Sequence, residues 1–143
     1  MNALQAIDPN FRARIRASFE RQGAMTLFGA VLARVDAGAV EIHLPFRPDL
    51  TQQHGYFHGG IVTAIADTAC GYAALSLTAP NFEVLSVEFK INLLRPASGE
   101  RLVAIGQVLR SGRTLSVARA DVYAESRLIA AMQATLMIVP VAS

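Results

Sequence analysis

A chain of 143 residues, 52% hydrophobic and 17% charged, can fill one domain with a real core and is too apolar for disorder. Its net charge of +2 excludes a polycationic tail, and a pI of about 9.1 leaves a mild attraction for phosphorylated ligands. A mean hydropathy of +0.36 is high for a soluble monomer, so the apolar excess needs a destination.

A single domain over 1–143 is expected, with a helical segment over 1–23 and a core over 26–139. Met1 to Asn10 has neither a basic start nor an apolar run, so no secretory leader is read and a cytoplasmic location is the default. Asp8-Pro9 reads as a helix cap with proline at the first helical position. Phe11, Ile15 and Phe19 then form one apolar face, with Arg12, Arg14, Arg16 and Arg21 off it, and Gly23 marks the end. Leu27 to Val35 and Val40 to Pro45 read as hairpin strands about Asp36-Ala37-Gly38. A mixed loop from Arg47 to His58 leads through Gly59-Gly60 into an apolar helix over Ile61 to Leu77, closed by Ala79-Pro80-Asn81.

That helix resembles a membrane span at first sight. It is Ala-rich, slightly short, lacks a basic flank and carries Asp67 near its middle, which costs on the order of 3 kcal/mol in a bilayer. A helix surrounded by protein is the better reading. The remainder is sheet. Leu85, Val87, Phe89, Ile91 and Leu93 alternate with Ser86, Glu88, Lys90 and Asn92, a period of two that ends at Pro96 to Glu100. Leu102 to Arg110 and Thr114 to Tyr123 flank a turn at Ser111-Gly112-Arg113. Leu128 to Val139 is the last strand, with Ala130, Met132, Ala134, Leu136 and Ile138 on one side. An antiparallel sheet of five or six strands curled around one helix would leave apolar surface uncovered, so a dimer is expected.

Few residues suggest chemistry. Cys70, the only cysteine, rules out an internal disulfide and a Cys-cluster zinc site, and its apolar context reads as a small core residue rather than a reactive thiol. His43, His54 and His58 lack the company a metal needs, so no metal is expected. The arginines are scattered without aromatic interleaving, which argues against nucleic acid. Gly59-Gly60 ahead of a helix either feeds it as a flexible loop or leaves backbone N–H groups free to hold a negative oxygen. Asp67 is the only carboxylate between Asp49 and Glu83 and lies in the most apolar helix. Either it is bonded to a loop backbone or it faces a cleft as base or nucleophile, and its small neighbours Thr63, Cys70, Gly71 and Ala74 favour the cleft.

Gln52, Gly55, His58-Gly59-Gly60 and Asp67, followed by Ser86-Val87-Glu88-Phe89 and Asn92-Leu93-Leu94-Arg95-Pro96, resemble the hotdog-fold acyl-CoA thioesterases, nearest their PaaI-like (phenylacetic acid degradation) branch. The acid nine residues after His58 and the amide six before it make the match specific, and it extends from Thr26 to Val139. The resemblance implies an α+β hotdog fold, a curled antiparallel sheet of five to six strands around one long helix. It implies hydrolysis of an aryl- or medium-chain acyl-CoA to free acid and CoA, with no cofactor beyond the substrate's own CoA.

Asp67 would be nucleophile or general base, supplied across a dimer interface, and Gly59 would polarise the thioester carbonyl. Gln52 would orient carbonyl or water, although Gln53 beside it could exchange roles, and His58 would shape the loop or bond near the thioester. Gly60 and Ser86 would line the substrate site, and Arg95 with Ser111, Gly112 and Arg113 would hold the CoA phosphates. A homodimer assembling to a homotetramer follows by the same likeness, with no nucleic-acid or membrane partner. Two alternatives stand beside it: a hotdog enoyl/hydroxyacyl-CoA hydratase-dehydratase and a non-catalytic acyl-CoA binder. Phe57, Tyr72 and Leu75 are candidates for the acyl pocket.

Overall fold

The computed structural model describes residues 3–142, so Met1, Asn2 and Ser143 of the expected domain lie outside the described residues. Two helices, α1 (Phe11–Arg21) and α2 (Gly23–Phe28), precede the hairpin β1 (Val31–Asp36) and β2 (Ala39–Pro45). The long helix α3 (Gly59–Leu75) follows, then β3 (Phe82–Leu93), β4 (Arg101–Ser111), β5 (Leu115–Ala124) and β6 (Arg127–Pro140). The six strands form one antiparallel sheet in the order β1-β2-β4-β5-β6-β3. Helix α3 packs on five of them, β2 to β6. Those five strands span about 19 Å at their usual spacing, wider than one helix, so the sheet must curve around α3. This is the expected hotdog arrangement, an α+β fold whose sheet stays open at β1 and β3.

Alternation is what packs the helix. In β4 and β5 the inward residues are Leu102, Ala104, Gly106 and Val108, then Ser116, Ala118, Ala120, Val122 and Ala124. Against them α3 turns Ala66, Ala69, Cys70 and Ala73, all fully buried. Small residues on both sides bring the two backbones together. A side chain at Gly106 would lie 2.3 Å from the Ala69 carbonyl oxygen. Among the described residues no helix is long and apolar enough to cross a membrane.

Several element bounds differ from the sequence reading. Asp8 does not cap the first helix, which begins two residues later at Phe11 after Asn10. Its carboxylate accepts instead from the Asn10 N–H at 2.8 Å and from Arg14 Nε at 2.9 Å. The strand expected from Leu27 starts only at Val31, because residues 23–28 form α2, closed by Gly29 in the left-handed conformation at φ 75°. Leu27 is exposed rather than a core strand residue. Gly59 and Gly60, read as lying ahead of the long helix, are its first two residues, and it ends at Leu75 rather than Leu77.

The alternation in β3 is broken. A bulge at Val87 sets Leu85 opposite Met137 but Ser86 opposite Leu136 and Phe89 opposite Ala134. Paired residues share a face. Ser86 therefore joins Phe89, Ile91 and Leu93 on the helix side, and Leu85 is turned outward.

Arg14 ties α1 to the far end of α3. Its Nη2 donates to the carbonyls of Thr78 at 2.9 Å and Leu75 at 3.3 Å, its Nη1 donates to Phe82 O at 3.3 Å, and Nε holds Asp8. A cation at the C-terminal end of a helix is favourable. Arg14→Met would leave Asp8 buried without its cationic partner and would take the guanidinium donors from the Thr78 and Phe82 carbonyls, while Leu75 O keeps those of Thr78. It is expected to lower stability by about 3 kcal/mol, read from the urea midpoint at unchanged m-value.

Candidate active site

The loop before α3 is held by its backbone. Thr51 pairs with Phe57, the Phe57 N–H donates to Ala97 O, and the His58 N–H donates to Leu50 O. Leu50 and Phe57 are buried, Phe57 edge-on to Phe46, which pins the entry angle of the helix. His58 caps α3: its Nδ1 accepts from the Gly60 N–H at 2.8 Å and its carbonyl accepts from Ile61 and Val62. Gly60 is thus engaged within the cap. The Gly59 N–H has no acceptor among the described residues. It opens into a cleft of about 420 Å³ lined by Gln52, Tyr56, Leu93, Leu94 and Arg95.

A Cβ at residue 59 would lie 2.8 Å from Leu93 Cδ1. The positive end of α3 and one uncommitted N–H together favour an anionic oxygen. Gln52 lines this cleft and Gln53 does not. The Gln52 Oε1 accepts from the N–H groups of His54 and Tyr56, which leaves its amide NH2 as the end available to a ligand.

Asp67 lies eight residues after Gly59, about 12 Å along the helix axis. Its Oδ1 accepts from Ser86 Oγ at 2.7 Å. The bulge in β3 is what turns Ser86 to meet it. The carboxylate opens on a second cleft of about 210 Å³, walled by Thr68, Gly71, Tyr72 and Leu75 of α3, Val84 of β3, Ser18 of α1, and Gln22 between α1 and α2. Asp67 faces a cleft, so the reading as a carboxylate bonded to a loop backbone is set aside. Of the small neighbours expected to leave it space, only Gly71 lines the cleft; Cys70 and Ala74 are buried. Tyr72 and Leu75 line this cleft, whereas Phe57 belongs to the Gly59 cleft.

The remaining candidates are spread out. Arg95 borders the Gly59 cleft and donates from Nη1 to Leu128 O at 2.7 Å. Ser111, Gly112 and Arg113 line a separate recess with Ile7, Phe82 and Ile138. Phe82 begins β3 and Leu93 ends it, so one chain does not bring Arg95 and Arg113 together. Ser18 and Gln22 of the Asp67 cleft went unnoticed in the sequence, where they read only as polar positions near the end of a short amphipathic helix. Burial, reinforced by the Asp67 and Asp121 carboxylates, pushes the Cys70 thiol up to about 12, so it remains an unreactive core thiol.

Against known proteins, the family model of the Thioesterase superfamily matches residues 54–131, more than half of the chain. The chain belongs to the thioesterase superfamily. As a member it is a thioester hydrolase. A thioesterase family protein from Silicibacter pomeroyi superposes on this thioesterase with TM-score 0.89 at 47% identity, over 91% of this chain and 98% of that one. A candidate esterase of Halobacterium salinarum is 31% identical over 115 residues, 77% of this chain and 76% of the relative. The medium/long-chain acyl-CoA thioesterase YigI of Escherichia coli is 30% identical over 95 residues, 57% of this chain and 61% of its own length. The PaaI protein from the phenylacetic acid degradation operon of Escherichia coli shares the thioesterase's fold, TM-score 0.84 at 20% identity.

Proposed function

We propose that this thioesterase hydrolyses acyl-CoA thioesters in a site completed by a second copy of the chain, with Asp67 as the reacting carboxylate. One observation carries the reading. A carboxylate held by Ser86 and an uncommitted Gly59 N–H occupy different clefts about 12 Å apart on one helix, too far to act on one carbonyl.

The edge strand β3 suggests how the halves meet. It ends the sheet, is twelve residues long, and exposes Leu85, Val87, Phe89 and Leu93. Such an edge invites pairing with another chain. Antiparallel pairing of β3 with its copy about an axis near Phe89 sets residues 84–86 of one copy against residues 92–94 of the other. The Asp67 cleft of one copy then adjoins the Gly59 cleft of the other. The same operation brings the Arg113 recess beside the partner end that carries Arg95, a pair of guanidinium groups apt for CoA phosphates.

In that arrangement the thioester oxygen accepts from the Gly59 N–H, and the Gln52 NH2 steadies carbonyl or water. Asp67 either attacks the carbonyl carbon to form an acyl-enzyme anhydride that water then opens, or takes the proton from an attacking water. By either route water is consumed, the C–S bond breaks and the sulfur leaves as CoA thiol. Ser86 and Gly60 act by position, one holding a carboxylate oxygen and the other closing the His58 cap. The reaction draws on no cofactor apart from the CoA of the substrate.

Complementation tests the shared site. Gly59→Pro removes the proposed donor at a position where proline suits a helix, the first residue, and its Cβ asks only that the flexible end of Leu93, 2.8 Å away, turn aside. The variant is expected to lower kcat by roughly 10²-fold or more. Co-refolding it with Asp67→Asn, itself inactive, should restore about a quarter of wild-type thiol release, because half the dimers are mixed and each holds one intact site. No recovery, or a monomeric mass at micromolar concentration, would overturn the shared site. An acyl-CoA panel that bound without releasing thiol would replace the hydrolase reading by that of a binder.

A further inference from the structure

Strand β3 carries two opposite charges that the chain itself leaves without ionic partners. Residues 85–90 are exposed in unbroken succession, so neither face of this edge strand is covered there. Glu88 and Lys90 lie two residues apart on the outer face, opposite Thr135 and Gln133 of β6. Glu88 Oε1 accepts from Thr135 Oγ1 at 3.3 Å. Lys90 Nζ donates to Asn92 Oδ1 at 3.0 Å, which uses one of the three ammonium hydrogens. Among the described residues neither makes an ion pair.

A two-fold pairing of β3 with its copy has few registers open to it. Beyond the bulge at Val87 the strand is regular, and paired residues must share a face. With Phe89 on the axis, Glu88 faces the partner's Lys90, and Lys90 faces the partner's Glu88. A slip of two residues one way sets Glu88 against the partner's Glu88. The same slip the other way sets Lys90 against the partner's Lys90. Side chains directly opposite have Cβ atoms about 5 Å apart, so a like pair on the axis repels where an opposite pair attracts. One register is thereby favoured over both of its neighbours. It is the register that places residues 84–86 beside residues 92–94 and joins the Asp67 cleft to the partner's Gly59 cleft.

We infer that Glu88 and Lys90 form two symmetric ion pairs across the β3 seam and select the register in which the shared site is complete. The inference rests on the two-copy site proposed above and assigns the choice of register to these two residues. Neither touches substrate; both are positioning residues that set Asp67 of one copy against Gly59 of the other. Exposed ion pairs add little affinity, so the charges discriminate between registers. The apolar side chains exposed on β3, among them Leu85, Val87 and Phe89, hold the copies together.

Charge reversal tests the pairs. Glu88→Lys makes every charged seam position cationic, and Lys90→Glu makes every one anionic. Each is expected to weaken its own dimer by about tenfold, read from the dissociation constant on dilution. When the two variants are unfolded and refolded together, opposite pairs return only in mixed dimers. With each homodimer tenfold weaker, mixed dimers should reach about nine-tenths of the total rather than the statistical half. The three species differ in net charge, so ion exchange separates them. Thiol release per chain should approach wild type in the mixed dimer, where every Asp67 and Gly59 is intact. The double reversal, Glu88→Lys with Lys90→Glu, should assemble and turn over like wild type, which a folding defect at either position would prevent. Mixed dimers at the statistical half, or single variants as dimeric and active as wild type, would overturn the ion pairs while leaving the shared site standing. A wild type fully active as a monomer would remove the shared-site reading itself.

Discussion

Asp67→Asn is expected to lower kcat for thioester hydrolysis by about 10³-fold or more while leaving KM for the CoA ester nearly unchanged. The substitution is nearly isosteric. An asparagine Oδ1 can still accept from Ser86 Oγ, so the side chain stays placed and the cleft keeps its shape. What is lost is the negative oxygen that must attack the carbonyl or remove a proton from water. A carboxamide is neither a useful nucleophile nor a base at neutral pH. Steady-state thiol release on a CoA ester reads the effect directly, and Cys70 adds no background because its thiol is buried and protonated. Retention of more than about a tenth of wild-type kcat would show that another group carries the reaction, since a positioned base contributes at least ~10²-fold.

Gly106→Ala is the largest expected effect on stability. Gly106 lies opposite Val40 on one side and Ala120 on the other, in the middle of the sheet. A methyl group there would sit 2.3 Å from the Ala69 oxygen, 2.4 Å from its carbonyl carbon and 2.9 Å from the Cys70 nitrogen. All three are backbone atoms of α3, so no side-chain rotation relieves the clash, and helix or sheet must move. Overpacking of this kind costs about 3 kcal/mol or more, which for a chain of this size lowers Tm by roughly 10 °C. Activity should fall with it, because Asp67 is two residues from the displaced carbonyl. A melting temperature within about 2 °C of wild type would show that the helix has room to shift.

Most of the fold was legible in residue patterns. The alternation in Leu102–Arg110, Thr114–Tyr123 and Leu128–Val139 places the strands, and the apolar run with one carboxylate marks the central helix. Those signals are local, set by periods of two and 3.6 along the chain. Local signals also mislead where a partner decides. Leu27 and Phe28, expected to begin a strand, are the last two residues of the short helix α2, which Gly29 closes before β1. Asp8 has the composition of a cap, but Arg14 competes for its carboxylate and the helix starts later.

The site divides along the same line. Gly59 and Asp67 stand out from residue type and position, since a glycine at a helix start and a lone acid in an apolar helix each need a reason, whereas Gln52 is singled out only by the resemblance to the thioesterases. Tertiary structure decided what those residues meet. In a strand of unbroken period two, Ser86 would point to the outer face with Glu88 and Lys90, and only the bulge at Val87 turns it onto Asp67. His58 captures the Gly60 N–H and leaves that of Gly59 uncommitted. Ser18 and Gln22 reach the Asp67 cleft because the first helix folds back over α3, a contact across about fifty residues of chain. Hydrophobic periodicity carries the order of the elements, because burial acts on each residue separately. Register, caps and clefts depend on pairs of residues distant in sequence, and only the folded chain brings such pairs into contact.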